Sequence, residues 1–281
     1  MALVCLGAGG CAMGSLSLPE SLRRGGGPVE AALAPSNDRP WRDDLAVLST
    51  ASIQRDQVTI RNIRNCSYVT EDDYQVDHYD KSFQLAELRG VDFIVVPFKE
   101  APTLAHTMLS FDFGQSGHVV VSVEARLEKG EAYSPLAGSA RQYELMYVIG
   151  DERDLIRLRT QVRDVDVFLY RTNATPEQSR EILVDILRRA NQLARQPEFY
   201  DSLTNNCTSN IVMHVNRVRP NRVPLADLRL LLPGYADQMA YDLGLLDTSR
   251  PFADLRREAQ INYLARTYVD DPEFSERIRR R

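Results

Sequence analysis

The stretch Ala105–Arg126, AHTMLSFDFGQSGHVVVSVEAR, decides how the chain is read. Two apolar-rich segments of period two flank GQSG, the pattern of a β-hairpin. On the first strand His106, Met108, Ser110 and Asp112 share one face, and Thr107, Leu109, Phe111 and Phe113 share the other. On the second, His118, Val120, Ser122 and Glu124 stand opposite Val119, Val121, Val123 and Ala125. A turn centred on Gln115 predicts the pairs His106 with Glu124, Met108 with Ser122, and Ser110 with Val120. An imidazole and a carboxylate then touch on the more polar face. A slip of one residue destroys the pairing, so everything hangs on register.

Outward from the hairpin, VTIRNIRN (58–65), VDFIVVPF (91–98), ELMYVIG (144–150) and DVDVFLYR (164–171) read as strands, the second of them buried and central. DERDLIRLRT (151–160) reads as a short helix and residues 127–143 as a long loop with a helical turn. In TPEQSREILVDILRRANQLA, Thr175 is an N-cap, Pro176 fits the first helical position and Gln178 completes a capping box. The stripe Ile182, Leu183, Ile186, Leu187, Ala190, Leu193 predicts a helix packed on a core. NNCTSNIVMHVNRV follows, with Asn205 or Asn206 as its cap and Pro220 beyond its end. Residues 221–281 are mostly helical in pattern. Strands in the first half and helices in the second predict an α+β architecture.

Cys207 thus falls at the start of a helix, where free N–H groups and the helix dipole favour an anion and lower a thiol pKa. It is the candidate nucleophile; His106 is the candidate base or imidazolium partner and Glu124 the group that orients it. Asn206 is a cap or an oxyanion donor. His118, near the turn, is expected exposed. His214 lies two turns along the Cys207 helix, roughly 10 Å away along its axis and out of hydrogen-bonding reach of the thiol.

Composition narrows the function classes. The 281 residues carry a net charge of −5, with 43% hydrophobic and 26% charged residues. No basic stripe with interleaved aromatics supports nucleic-acid binding. The four cysteines, Cys5, Cys11, Cys66 and Cys207, and four histidines have no zinc-site spacing. A Cys66–Cys207 bridge is conceivable. The acidic run around His78 lacks the glycine and closing glutamate of a calcium loop, so no metal and no cofactor are expected. Residues 1–38 read as an apolar leader or disordered linker, 39–250 as the enzyme domain and 251–281 as a C-terminal helical extension. The first nineteen residues lack the basic start of a signal peptide and make a poor membrane span.

RNIRNCSYVTEDDY, VDFIVVPF, LAHTMLSFDFG, the long segment 119–160, DVFLYR and NNCTSNI occur in an order and spacing that resemble the Lnb N-terminal periplasmic domain family, over roughly residues 35–246. That resemblance implies a circularly permuted papain-like fold, related to NlpC-type amidases and lecithin:retinol acyltransferase relatives. In that fold an antiparallel sheet packs with a helix carrying the cysteine. It implies His106 as base, Glu124 as orienter and Cys207 as nucleophile, in that chain order. It also implies a location in the periplasm or on the outer face of the inner membrane, with peripheral membrane contact. The expected function is cysteine-dependent acyl transfer through a thioester, from phospholipid to a lipoprotein amino terminus. The alternatives are an envelope thiol peptidase or amidase acting on cell-wall peptide, and a non-catalytic lipid- or peptide-binding module.

Overall fold

The computed structural model describes residues 34–280. The leader and linker expected over 1–38 lie almost wholly outside the described residues, as do Cys5 and Cys11. Ser36–Arg281 is one compact unit. Its N-terminal end is already tied down: the Ser36 N–H donates to Glu144 Oε1 at 3.0 Å, and the Asn37 amide donates to the Leu193 carbonyl at 3.0 Å.

The strands are β1 (Thr50–Gln54), β2 (Gln57–Arg64), β3 (Ser67–Tyr68), β4 (Tyr74–Gln75), β5 (His78–Gln84), β6 (Gly90–Pro97), β7 (Ala105–Asp112), β8 (His118–Arg126), β9 (Glu144–Asp151) and β10 (Phe168–Arg171). The helices are α1 (Pro135–Ser139), α2 (Glu152–Arg157), α3 (Pro176–Arg195), α4 (Cys207–Val218), α5 (Ala236–Asp242), α6 (Phe252–Ala259), α7 (Asn262–Thr267) and α8 (Phe274–Arg277). Eight strands form one sheet in the order β1-β2-β9-β8-β7-β6-β10, with β5 on β2. Its pairs are antiparallel except for the short parallel join of β2 to β9 at Arg64 and Gly150, so the chain is an α+β domain of mixed sheet topology. Among the described residues no helix is long and apolar enough to cross a membrane.

The hairpin register is the predicted one. Met108 pairs with Ser122 and Ser110 with Val120 around a tight turn at Gly114–Ser116. Gly114 and Gly117 hold φ of +58° and +89°, a conformation that side chains with a Cβ resist. The α3 cap is also as predicted, with Thr175 and Gln178 bonding reciprocally. All six residues of its apolar stripe are buried. Burying each large aliphatic side chain contributes about 1.5–3 kcal/mol, which outweighs the helix's weak intrinsic propensity.

The structure adds two strands and corrects one expectation. β1 and β5 are strands that their polar sequences conceal: β1 is the edge of the sheet path and β5 lies off it, and apart from the buried Phe83 their positions are half-buried or exposed. His118 is buried, not exposed, because β8 starts at that residue and directs its ring toward Asp112, 3.6 Å away. The helical turn expected within 127–143 is α1, capped by Ser134. The segment after residue 250 shares the main core through Leu255, Ile261, Phe274 and Ile278. Arg279 reaches Asp92 at 2.7 Å and Glu152 at 2.7 Å, closing the C-terminal end onto the sheet.

Candidate active site

Two elements on opposite sides of β7 build the site. Thr107 faces α4, its hydroxyl 3.1 Å from that of Thr208. Ser110 points the other way and donates to Glu152 of α2. His106 belongs to the Ser110 side and Cys207 to the Thr107 side. They meet where β7 begins, with both side chains largely buried.

Helix α4 starts where the sequence places it. Asn206 Oδ1 accepts from the Ser209 N–H at 2.9 Å, and the Ser209 hydroxyl accepts from the Asn206 N–H at 2.9 Å. The Asn206 amide donates to the Ser202 carbonyl at 2.8 Å. Both ends of the Asn206 side chain are therefore occupied in shaping the turn. The cap puts Cys207 at the first helical position, in the turn whose backbone N–H groups open the helix.

On the other wall His106 Nε2 lies 2.6 Å from Ser122 Oγ and 3.2 Å from Glu124 Oε1. Ser122 Oγ in turn donates to Glu124 Oε1 at 2.6 Å. Arg159 Nη2 donates to the same carboxylate oxygen at 3.2 Å. The four groups make one continuous relay: imidazole, hydroxyl, carboxylate, guanidinium. With Nε2 turned to this relay, Nδ1 is left for the thiol side.

The charges follow from that geometry. Burial opposes a charged His106, but Glu124 and then Cys207 outweigh it, and its pKa is raised to about 9. Burial likewise opposes a Cys207 thiolate, yet His106, helped by hydrogen bonds from the Thr107 backbone and hydroxyl, lowers the thiol to about 7. Glu124 is held well below the carboxylate range against its own desolvation by His106 and Arg159. Arg159, only 3% exposed, falls to about 10 because burial exceeds the help from Glu124. The arrangement favours a thiolate beside an imidazolium.

A cavity of about 450 Å³ opens on this pair. Phe98, Leu104, Tyr133, Tyr200 and Leu231 supply apolar lining, and the polar lining is a set of ion-paired side chains, Arg42 with Asp44, Arg159 with Glu124 and Arg163 with Glu71. Its size and mixed lining suit a ligand with both an apolar and a polar part.

Residues 74–234, more than half of the chain, match the Lnb N-terminal periplasmic domain. The chain belongs to that family. The match begins later and ends earlier than the resemblance read from the motifs, but it contains the hairpin and the Cys207 helix. Lnb N-terminal domains are periplasmic, in agreement with the location that the resemblance implied. Membership associates this Lnb-type domain with lipoprotein-related periplasmic chemistry. No curated protein and no solved structure matches the chain.

Within this Lnb-type domain His106, Glu124, Asn206 and Cys207 come together around one cavity. Other candidates are elsewhere. Cys66 is a free thiol packed with Tyr68 and Leu158, and burial pushes its pKa up to about 11. Cys207 is also free, so the conceivable bridge between them is absent. His214 is buried between Asp185 (2.6 Å from Nδ1) and the Tyr147 hydroxyl (2.9 Å from Nε2). Among the described residues no group of three or more His, Cys, Asp or Glu side chains is placed to hold a metal ion.

Sequence reasoning missed Ser122 and Arg159. Ser122 was legible in principle: it lies two residues before Glu124 on the same strand face. Arg159 was not. It sits in a π turn (Leu158–Val162) that follows α2, and such a widened turn re-aims side chains by an amount no periodicity foretells.

Proposed function

We propose that the chain is a cysteine acyltransferase whose nucleophile is Cys207, and that its domain is a circularly permuted papain-like one. The observation that carries this reading is the relay from Arg159 through Glu124 and Ser122 to His106, on the same cavity as a thiol of lowered pKa. The order His106, Glu124, Cys207, with the cysteine opening a helix packed on an antiparallel hairpin, supports the papain-like assignment.

In the first half-reaction the Cys207 thiolate attacks the carbonyl of an acyl ester, with phospholipid as the donor class. A sulfur–carbon bond forms and the ester carbon–oxygen bond breaks. His106 delivers its Nδ1 proton to the departing alkoxide. Backbone N–H groups in the first turn of α4, among them that of Cys207, are the donors for the tetrahedral oxyanion. Asn206 acts through the turn it shapes. In the second half-reaction an amine, the amino terminus of a lipoprotein, attacks the thioester. Its proton passes to His106 and the thiolate leaves. Glu124 and Ser122 keep the ring oriented through both steps.

Intact-mass measurement after incubation with diacyl phospholipid tests the reading. The expected result is a hydroxylamine-labile increase of one acyl chain, mapped to Cys207 and absent from Cys207→Ala. Release of amine groups from muropeptides with no acyl adduct from any diacyl lipid would overturn it in favour of a thiol amidase. Undiminished function of Cys207→Ala would instead make the domain a binding module.

A further inference from the structure

Large apolar side chains that face solvent are not scattered over this protein. Among the described residues, eight of the eleven fall in three segments, 133–136, 203 and 225–235. Leu136 is 81% exposed, Leu203 57%, Leu225 76% and Leu228 72%. Single exposed leucines need no explanation, but a concentration of them marks an interaction surface.

The three segments frame one opening. Tyr133, Leu231 and Pro233, from the first and third segments, line the thiol cavity, as does Ser202, the neighbour of Leu203. The Tyr133 and Tyr200 rings pack edge-on with centroids 6.2 Å apart, joining the first segment to the second. The Gly234 N–H donates to the Thr103 carbonyl at 2.9 Å, pinning the third to the loop after β6. A Cβ on Gly234 would approach the Pro102 carbonyl to 2.1 Å, so this contact tolerates no side chain.

The charge pattern selects the partner. The chain carries −5 overall, yet residues 217–235 contain four arginines and one aspartate. Arg217 is paired with Asp185, and Arg229 with Asp227 and Asp242. Arg219 and Arg222 have no carboxylate partner among the described residues, and Arg222 is exposed. Exposed leucines preceded within a few residues by arginines without carboxylate partners fit an interface whose surface is anionic and whose interior is hydrocarbon. A second copy of this chain would set the same arginines against each other.

We infer that these loops dock the protein onto an anionic lipid bilayer, with the thiol cavity opening toward the lipid. This rests on the acyltransferase reading and adds to it the surface through which the donor enters. Leu225, Leu228 and Leu232 insert among the acyl chains, and Arg219 and Arg222 meet headgroup phosphates.

Co-sedimentation with vesicles tests it, using Cys207→Ala protein so that no covalent transfer contributes. Vesicles of phosphatidylethanolamine with phosphatidylglycerol are expected to retain the protein, and phosphatidylcholine vesicles to retain less. Combined Leu225→Ser, Leu228→Ser and Leu232→Ser replacement should lower partitioning about tenfold or more. In the background with Cys207 intact, the same three replacements should leave circular dichroism and the alkylation rate of Cys207 unchanged, which separates lost docking from lost folding. Equal partitioning of parent and triple variant would overturn the proposal, as would self-association that the triple variant abolishes without any vesicle binding. Bilayer binding without a thioester on the parent would sink the acyltransferase reading alone. A thioester formed from detergent-dispersed phospholipid by a protein that ignores vesicles would sink the docking surface alone.

Discussion

Ser122 stands between His106 and Glu124: its Oγ is 2.6 Å from His106 Nε2, whereas the carboxylate is 3.2 Å from the same nitrogen. The hydroxyl accepts from the ring and donates to Glu124, so the ring's orientation depends on both. Ser122→Ala should lower kcat/KM by about 10–100-fold, because the ring gains freedom to leave its reactive angle. Glu124→Gln should cost more, removing the charge that favours imidazolium as well as the alignment. Steady-state kinetics of both variants against one acyl donor check the ranking.

The two described cysteines should differ sharply in reactivity. Near pH 7 about half of Cys207 is thiolate, while Cys66, pushed up to about 11, is almost wholly protonated. Iodoacetamide at pH 7 followed by peptide mapping should modify Cys207 at least about 100-fold faster. In His106→Gln the imidazolium is gone, and the midpoint of Cys207 alkylation should move from about 7 up into or beyond the ordinary thiol range. An unmoved midpoint would show that the imidazole does not act on the thiol.

Activity should follow a bell in pH. The rising limb is the thiol losing its proton near 7, and the falling limb is His106 losing its proton near 9. The two belong to the pair rather than to either residue alone. His106 has a raised pKa, so its stabilising share is complete below its ordinary value and disappears as pH rises through about 9. Cys207 has a lowered pKa, so its share is complete above the ordinary thiol value and disappears as pH falls through about 7. A kcat/KM profile between pH 5 and 10 tests both limbs.

Arg159 and Glu124 should be more costly to break singly than together. Glu124→Ala leaves a buried guanidinium without its carboxylate, a loss of about 3 kcal/mol or more in urea unfolding. Adding Arg159→Met removes the stranded charge and should recover part of that stability while activity stays low. A double variant no more stable than Glu124→Ala would mean that the guanidinium finds another partner.

Arg279 should matter for acid stability although it lies near the end of the chain. It contacts Asp92 and Glu152, both 1% exposed, and holds Glu152 at about 2 against the penalty of burial. The stabilisation is therefore present above the ordinary glutamate pKa and lost as pH falls toward 2. Arg279→Ala should destabilise the fold by about 3–5 kcal/mol at neutral pH. It should also flatten the fall in stability between pH 4 and 2. Urea titrations at several pH values provide the comparison.

Much of the fold was legible from local chemistry. Alternation fixes which face His106, Ser122 and Glu124 occupy, and glycines at positions 114 and 117 set the turn that brings the two strands into register. A capping asparagine and serine start the Cys207 helix, and a threonine, proline and glutamine start α3. Each of these signals acts within a few residues, so a linear sequence displays it. β1 and β5 were hidden because peripheral strands need no apolar run, and His118 because burial of a polar residue depends on what lies above it. The meeting of Cys207 with His106 required α4 to lie across β7. Arg159 required a π turn to aim it at Glu124, and Arg279 required the C-terminal helices to fold back over α2. Those are decisions of packing, in which residues far apart in sequence share one desolvated space, and only the tertiary structure made them.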